Sequence, residues 1–147
     1  HHAKDAANLF KTLGYDLNIF SSAMKLNTQY MHIVHFNLKM KEALTMPKVM
    51  EIFEQNPLIA ITEKKLSSQV FSFGRDHGHY GRILNQTVVS APSLQLIDGG
   101  KELVGFCFTP QDGNSLLSSI SAATWFMYPN SYEQKIQSLG DWFFDEV

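Results

Sequence analysis

Hydrophobic and polar residues alternate most regularly between residues 30 and 40. Because successive side chains of a β-strand point to opposite faces, this alternation predicts a half-buried strand. The residues predicted to share the buried face are Tyr30, His32, Val34, Phe36, Leu38 and Met40. His32 is the one histidine among them. A buried neutral imidazole needs a hydrogen-bond partner, so the ordinary interpretation is a satisfied core residue and the less common one is a catalytic base.

Helical spacing and turn residues divide the rest of the chain. Apolar residues at intervals of three and four predict helices that cover residues 3–13, 45–55, 69–77 and about 116–127, with a last helix from 131 onward. A polar loop is predicted over residues 110–115, before the fourth of these helices. Ser67 or Ser68 is the expected N-cap of the third helix, and a loop is predicted from Gly14 through Asn27.

Shorter apolar runs predict the remaining strands, which cover residues 58–62, 87–91, 93–97 and 102–109. Asp98-Gly99-Gly100 separates the last two runs and is typical of a hairpin turn. This order of helices and strands indicates an α+β fold, with helices on one face of a mostly antiparallel sheet. The length of 147 residues fits one domain, residues 1–147.

The stretch Val70–Val89 concentrates polar chemistry, with two arginines, two histidines and three glycines. Guanidinium and imidazole donors beside flexible backbone suit an anionic group such as a phosphate. The charged residues concerned are Arg75, Asp76, His77, His79 and Arg82. The alternative interpretation is a helix end followed by a polar loop between packed elements, and the glycines predict this loop at residues 78–82.

Composition narrows the function classes. A net charge of −2 without a basic cluster argues against nucleic-acid binding. The single cysteine, Cys107, excludes an internal disulfide and a cysteine-rich zinc site. No apolar run reaches the length of a membrane span and no signal peptide is visible, so we expect a cytoplasmic protein. His1 and His2 are either native residues or the remnant of a purification tag.

Several segments, taken together and in order, resemble the catalytic C-terminal domain of the archaeal-type (type II) glyceraldehyde-3-phosphate dehydrogenases. His1-His2-Ala3-Lys4-Asp5 is similar to that family's His-His-Gly-Pro-Asp, and Met31-His32 to its Met-His-x-His strand. The helix, Asn-Pro and strand of residues 51–61 occur in the same order. Residues 68–82 resemble a helix that ends in Ala-Arg-Asp-Leu-Gly-Arg, and residues 108–120 the family's His-Gln-Glu turn and following helix.

The resemblance implies an NAD- or NADP-dependent oxidoreductase that acts on a small phosphorylated aldehyde through a cysteine thiohemiacetal. It assigns His32 as the catalytic general base and Gln111 as a cofactor contact near the nicotinamide. It assigns His1, His2 and Arg75 to substrate binding, and it gives no metal ligand. It further implies a homo-oligomer, most simply a dimer.

The chain departs from the family in ways that limit this expectation. It contains no G-x-G-x-x-G fingerprint, and the nucleophilic cysteine would precede His1. Pro110-Gln111-Asp112 stands where the family has His-Gln-Glu, and Asn85-Gln86 stands where it has an acidic strand start. We therefore expect a fragment whose dinucleotide-binding domain is missing, which needs no cofactor and is inactive by itself.

Two other functions stay open. The first is a stand-alone ligand-binding or regulatory α+β domain that kept the fold without the dehydrogenase chemistry. The second is a hydrolytic or metal-dependent enzyme that uses His1-His2 or His77-x-His79, although no acidic residue completes a familiar ligand pattern.

Overall fold

A computed structural model describes residues 2–24 and 31–147 of the chain. His1, Tyr30 and the last residues of the loop predicted through Asn27 lie outside the described residues. The helices are α1 (His2–Thr12), α2 (Met46–Glu54), α3 (Ser67–His77), α4 (Gln111–Met127) and α5 (Tyr132–Ile136). The strands are β1 (Met31–Lys39), β2 (Ile59–Thr62), β3 (Thr87–Ser90), β4 (Gln95–Ile97) and β5 (Glu102–Pro110). Short 3-10 helices cover Ala91–Ser93, Asp98–Gly100 and Gln137–Trp142.

The five strands form one mixed sheet in the order β1-β5-β3-β2, with β4 also paired to β5. The prediction of an α+β fold is confirmed, and so is the hairpin, since β4 and β5 pair antiparallel across Asp98–Gly100. The prediction of a mostly antiparallel sheet is wrong, because β2 and β3 run parallel. The crossover through α3 returns the chain in the same direction, as parallel pairing requires.

Helices cover both faces of the sheet, so the prediction of helices on one face is wrong. Val70 of α3 packs on the face that carries Val88 and Phe108. Val49 of α2 packs on the opposite face, beside Val89. Adjacent residues of a strand point to opposite faces, so the consecutive valines of β3 give the sheet two apolar sides.

Strand β1 is covered differently at its two ends. Met31 and Ile33 belong to the cluster covered by α3, whereas Phe36 and Met40 pack against the cluster covered by α2. The predicted single buried face is therefore wrong for this strand, and His32 is exposed. The predicted strand is confirmed, but neither of its faces is covered along the full length.

The boundaries of α1, α2 and α3 lie within two residues of the prediction, whereas α4 begins at Gln111, inside the predicted polar loop. Helix α3 begins at Ser67, and its N-cap is Leu66 rather than a serine. The last predicted helix is short, because α5 ends at Ile136 and a 3-10 helix continues to Trp142. Within the described residues, no helix has the length and apolar character needed to cross a membrane.

Candidate functional site

One end of the sheet collects several of the residues that the sequence singled out. In the antiparallel register of β1 and β5, His32 lies opposite Thr109 and Met31 opposite Pro110. Strand β5 passes directly into α4, whose first residue is Gln111. His32 at the start of β1 and Gln111 at the end of β5 therefore share this end of the sheet, which we call the site end.

A close backbone approach holds the start of α4 at the site end. Gly113 is buried in the first turn, and a Cβ atom there would collide with the carbonyl oxygen of Ile83. Leu117, one turn later, is also buried. A glycine is needed at position 113 because any side chain would push α4 away from the segment that precedes β3.

The predicted loop at residues 78–82 is a tight turn. His79 N–H donates to Arg82 O at 2.7 Å, and Arg82 N–H donates back to His79 O at 3.1 Å. Tyr80 and Gly81 both have positive φ, at 54° and 74°. Positive φ at both central residues is the pattern of a type I′ turn, in which glycine is favoured. We call residues 79–82 the Tyr80-Gly81 turn.

The side chain of Arg82 extends from this turn toward α4. Its guanidinium donates to Tyr80 O at 3.0 Å, and its Nε lies 3.9 Å from a carboxylate oxygen of Asp112. Asp112 adjoins Gln111, so the turn and the start of α4 are neighbours. The ion pair is long and partly exposed, which leaves the arginine weakly held.

Arg75 lies in the last turn of α3 and is exposed. Its Nε and an Nη donate to the two carboxylate oxygens of Asp76 at 2.6 and 2.8 Å. This bidentate hydrogen bonding lowers the pKa of the Asp76 carboxyl. The preceding residue, Gly74, is buried against the side chains of Met31 and Ile83, so the end of α3 lies beside the start of β1.

His32 and Gln111 are both exposed, and neither side chain forms a hydrogen bond within the described residues. His2 is an exposed residue of α1. A hydrogen bond from Ala3 N–H to the Ser21 hydroxyl ties α1 to a distant residue. The structure thus brings together His32, Gln111 and the end of α3, and among the described residues no side-chain hydrogen bond or ion pair connects His2 to them. His1 lies outside the described residues.

A nicotinamide dinucleotide would need a groove beside Gln111 and a phosphate-binding turn. Two open grooves, of about 480 and 350 Å³, lie along α3 and the residues before it, and neither is lined by Gln111. The chain also has no glycine-rich phosphate-binding turn after a strand. The described residues alone therefore do not fit a dinucleotide, and Gln111 offers one amide at an exposed helix start.

Cys107 lies in β5 on the face covered by α2. Burial raises the pKa of its thiol to about 11, which disfavours the nucleophilic thiolate near neutral pH. This is the behaviour of a packing residue. Among residues 2–24 and 31–147, no three His, Cys, Asp or Glu side chains are grouped so as to hold a metal ion.

Asn85 and the residues around Phe144 have no predicted role in the candidate site. Asn85 is fully buried, and its side chain forms hydrogen bonds with both backbone groups of Phe144. A polar residue between the apolar pairs Ile83-Leu84 and Val88-Val89 was the available signal for a buried polar contact. Its partner lies 59 positions away, so no local pattern could identify it.

No protein-family model and no curated protein sequence matches this chain. The resemblance therefore remains a prediction, and the function must be argued from residues and geometry.

Proposed function

We propose that this chain is the catalytic and substrate-binding part of a glyceraldehyde-3-phosphate dehydrogenase-like oxidoreductase, which uses NAD or NADP and acts on a small phosphorylated aldehyde. The sequence resemblance motivates the proposal. The observation that supports it best is the register of β1 and β5, because it brings the predicted base and the predicted cofactor contact to the same end of the sheet.

In this proposal, the site-end residues have separate tasks. His32 accepts a proton from the reacting group, for which an exposed imidazole nitrogen is suited. Arg75 pairs with the substrate phosphate, for which a guanidinium at an exposed helix end is suited. The exposure of these residues leaves room for a substrate to dock on the surface, and His1 and His2 retain the substrate role that the resemblance implies.

The nicotinamide group would supply hydride acceptance when bound. The described residues do not fit a dinucleotide by themselves, so the proposal requires a separate dinucleotide-binding domain. Gln111 would face that domain from the exposed start of α4. The nucleophilic cysteine would also come from elsewhere, since Cys107 is a poor thiolate.

Substrate binding can be tested on this chain alone. The ¹⁵N-labelled chain is titrated with glycerol 3-phosphate, which carries the phosphate without the reactive aldehyde. We expect chemical-shift changes at His32, Arg75 and Gln111. Arg75→Gln should weaken binding about tenfold or more, because it removes a charged hydrogen bond.

The matched control is Lys101→Gln, which removes a positive charge at the other end of β5 and should leave binding unchanged. Absence of saturable shifts at the site end, or an equal loss in the two variants, would count against a phosphate-bearing substrate.

Catalysis is tested with the full natural protein that contains this sequence, using a phosphorylated aldehyde and NAD or NADP as substrates. His32→Ala should lower kcat by about 10²- to 10⁴-fold if His32 is the base. His35→Ala is the control, since His35 is an exposed histidine on the other face of the same strand. Equal activity of the His32→Ala and wild-type enzymes would refute the assignment.

The second candidate is a ligand-binding or regulatory domain without dehydrogenase chemistry. It is favoured by the exposure of every described residue assigned to the site. This alternative would be supported if glycerol 3-phosphate bound saturably and the full natural protein showed no NAD- or NADP-dependent turnover.

The proposal also includes a homo-oligomer, because large apolar side chains such as Phe106 and Phe126 are exposed. Light scattering across a range of protein concentrations should detect a dimer, and a monomer at high concentration would contradict it.

A further inference from the structure

The segment Trp142–Val147, which we call the strap, lies along the edge of β2. Ile61 N–H donates to Asp145 O at 2.9 Å, and Val147 N–H donates to Ile61 O at 2.8 Å. The Val147 side chain is buried in the cluster covered by α3. The strap therefore pairs with β2 through one parallel bridge, between Ile61 and Glu146, and covers this edge of the sheet.

Asn85 holds the middle of the strap. Its Nδ2 donates to Phe144 O at 2.9 Å, while its Oδ1 accepts from Phe144 N–H at 3.0 Å. The same Nδ2 lies 3.5 Å from Pro57 O. Because both backbone groups of Phe144 are satisfied by one fully buried amide, the backbone of Phe144 is held by the segment just before β3.

The strap presents two aromatic rings to His79. The Phe144 ring stacks on the imidazole with a centroid distance of 5.2 Å and an interplanar angle of 18°. The Trp142 ring lies 4.8 Å from the same imidazole. Phe144 also contacts Phe73 edge to face at 5.3 Å, which ties the strap to α3.

His79 is the first residue of the Tyr80-Gly81 turn, and its backbone is paired with that of Arg82. We propose that the strap positions this turn through His79, and that it thereby sets the location of Arg82 for binding the phosphate group of the substrate. His79 is a positioning residue in this inference, since its ring is engaged by the strap. The phosphate part rests on the proposed function, whereas the positioning of the turn does not.

A positioning role predicts a local change in dynamics. Amide hydrogen exchange by NMR reports the opening of the His79–Arg82 pair directly, because both backbone N–H groups are donors in it. His79→Ala should speed exchange of the Arg82 amide about three- to tenfold, the factor expected from loss of an aromatic pair. His79→Phe should restore the wild-type rate, because the phenyl ring can stack on Phe144 in the same way.

The control for removal of an imidazole is His35→Ala, because His35 forms a comparable exposed pair with Phe106 at 5.0 Å. Trp142→Ala should reproduce the effect of His79→Ala. Its control is Trp125→Ala, which removes a similarly exposed tryptophan whose ring contacts Phe126. Asn85→Ala is less informative, since the loss of a fully buried amide can unfold the chain. Exchange of the Val88 amide monitors global stability in every variant.

A second readout tests the phosphate part with inorganic phosphate as the probe. If Arg82 binds the anion, His79→Ala should weaken phosphate binding about three- to tenfold, the same factor as in the exchange experiment, and His79→Phe should restore it. The exchange of Val88 should not change, which distinguishes positioning from a general loss of stability.

The two experiments test the two parts of the proposal independently. Unchanged Arg82 exchange in both His79→Ala and Trp142→Ala would overturn the positioning role of the strap. Faster exchange without rescue by His79→Phe would overturn it as well, since the stacking would then not be the cause. Faster exchange with rescue, in a chain that binds no phosphate, would support the positioning and refute the phosphate-binding part.

Discussion

Helix α3 is more deeply buried than α4, although the sequence of α4 is the more apolar. Helix α4 is the more apolar and has Asp112 as its one charged residue, while α3 contains Arg75, Asp76 and His77. Yet Val70 of α3 is fully buried, whereas Phe126 of α4 is 78% exposed. Apolar content enables a helix to be buried, but the partner surface decides whether it is.

The reason lies in where each helix attaches. Helix α3 crosses between the parallel strands β2 and β3, so its apolar side lies over the sheet. Helix α4 follows the last residue of β5, and its buried residues, Gly113 and Leu117, lie in its first half. The remaining turns of α4 carry Trp125 and Phe126 away from the core of the described chain.

Two isoleucine-to-alanine substitutions, one in each region, test this difference in burial most directly. Ile83 is buried in the cluster that α3 covers, and Ile120 is partly exposed on α4. Ile83→Ala should lower the free energy of unfolding by about 2–5 kcal/mol, since it leaves a cavity. Ile120→Ala should change it by no more than about 0.5 kcal/mol. Urea unfolding measures both, and equal losses would mean that the surface of α4 is covered in solution.

A smaller effect is expected where α4 meets the core. Gly113→Ala should lower the free energy of unfolding by about 1–3 kcal/mol, because the added methyl group meets the Ile83 carbonyl oxygen. Gly140→Ala is the control, since a Cβ at Gly140 has no neighbouring atom within 4 Å. If Gly113→Ala were as neutral as Gly140→Ala, the close approach of α4 to Ile83 would not exist in solution.

The last effect on stability concerns Cys107 and appears only at high pH. Burial raises its pKa from 9.0 to about 11, so the folded chain holds the proton more tightly than the unfolded chain. This contribution to stability is present below pH 9 and is lost as the pH rises toward 11.

Thiol reactivity provides the measurement for Cys107. At pH 8 the folded thiol should react with a disulfide reagent about a hundredfold more slowly than after unfolding in urea. An exposed thiol introduced on α4 by Ala122→Cys is the reference and should react rapidly in the folded chain. Comparable rates for the two thiols would show that Cys107 is not protected by the sheet.

The candidate site was predictable in part. The sequence pattern located the loop at residues 78–82, because glycine has distinct local conformational preferences. The polar loop predicted over residues 110–115 was wrong, since α4 begins at Gln111 directly after β5. The position of His32 on an apolar face was predicted incorrectly, since alternation identifies a strand but not which side is covered at each point. The role of Asn85 was not predictable, because its hydrogen bonds connect distant parts of the chain.

The sequence by itself determined the order and approximate bounds of the helices and strands, the β4–β5 hairpin and the α+β class. These features follow from side-chain periodicity and turn preferences, which act over a few residues. The tertiary structure alone decided that β2 and β3 run parallel, that helices cover both faces, that α4 stays exposed and that the strap closes the edge of β2. Each of these depends on contacts between residues far apart in the chain, whose free energies no local pattern encodes.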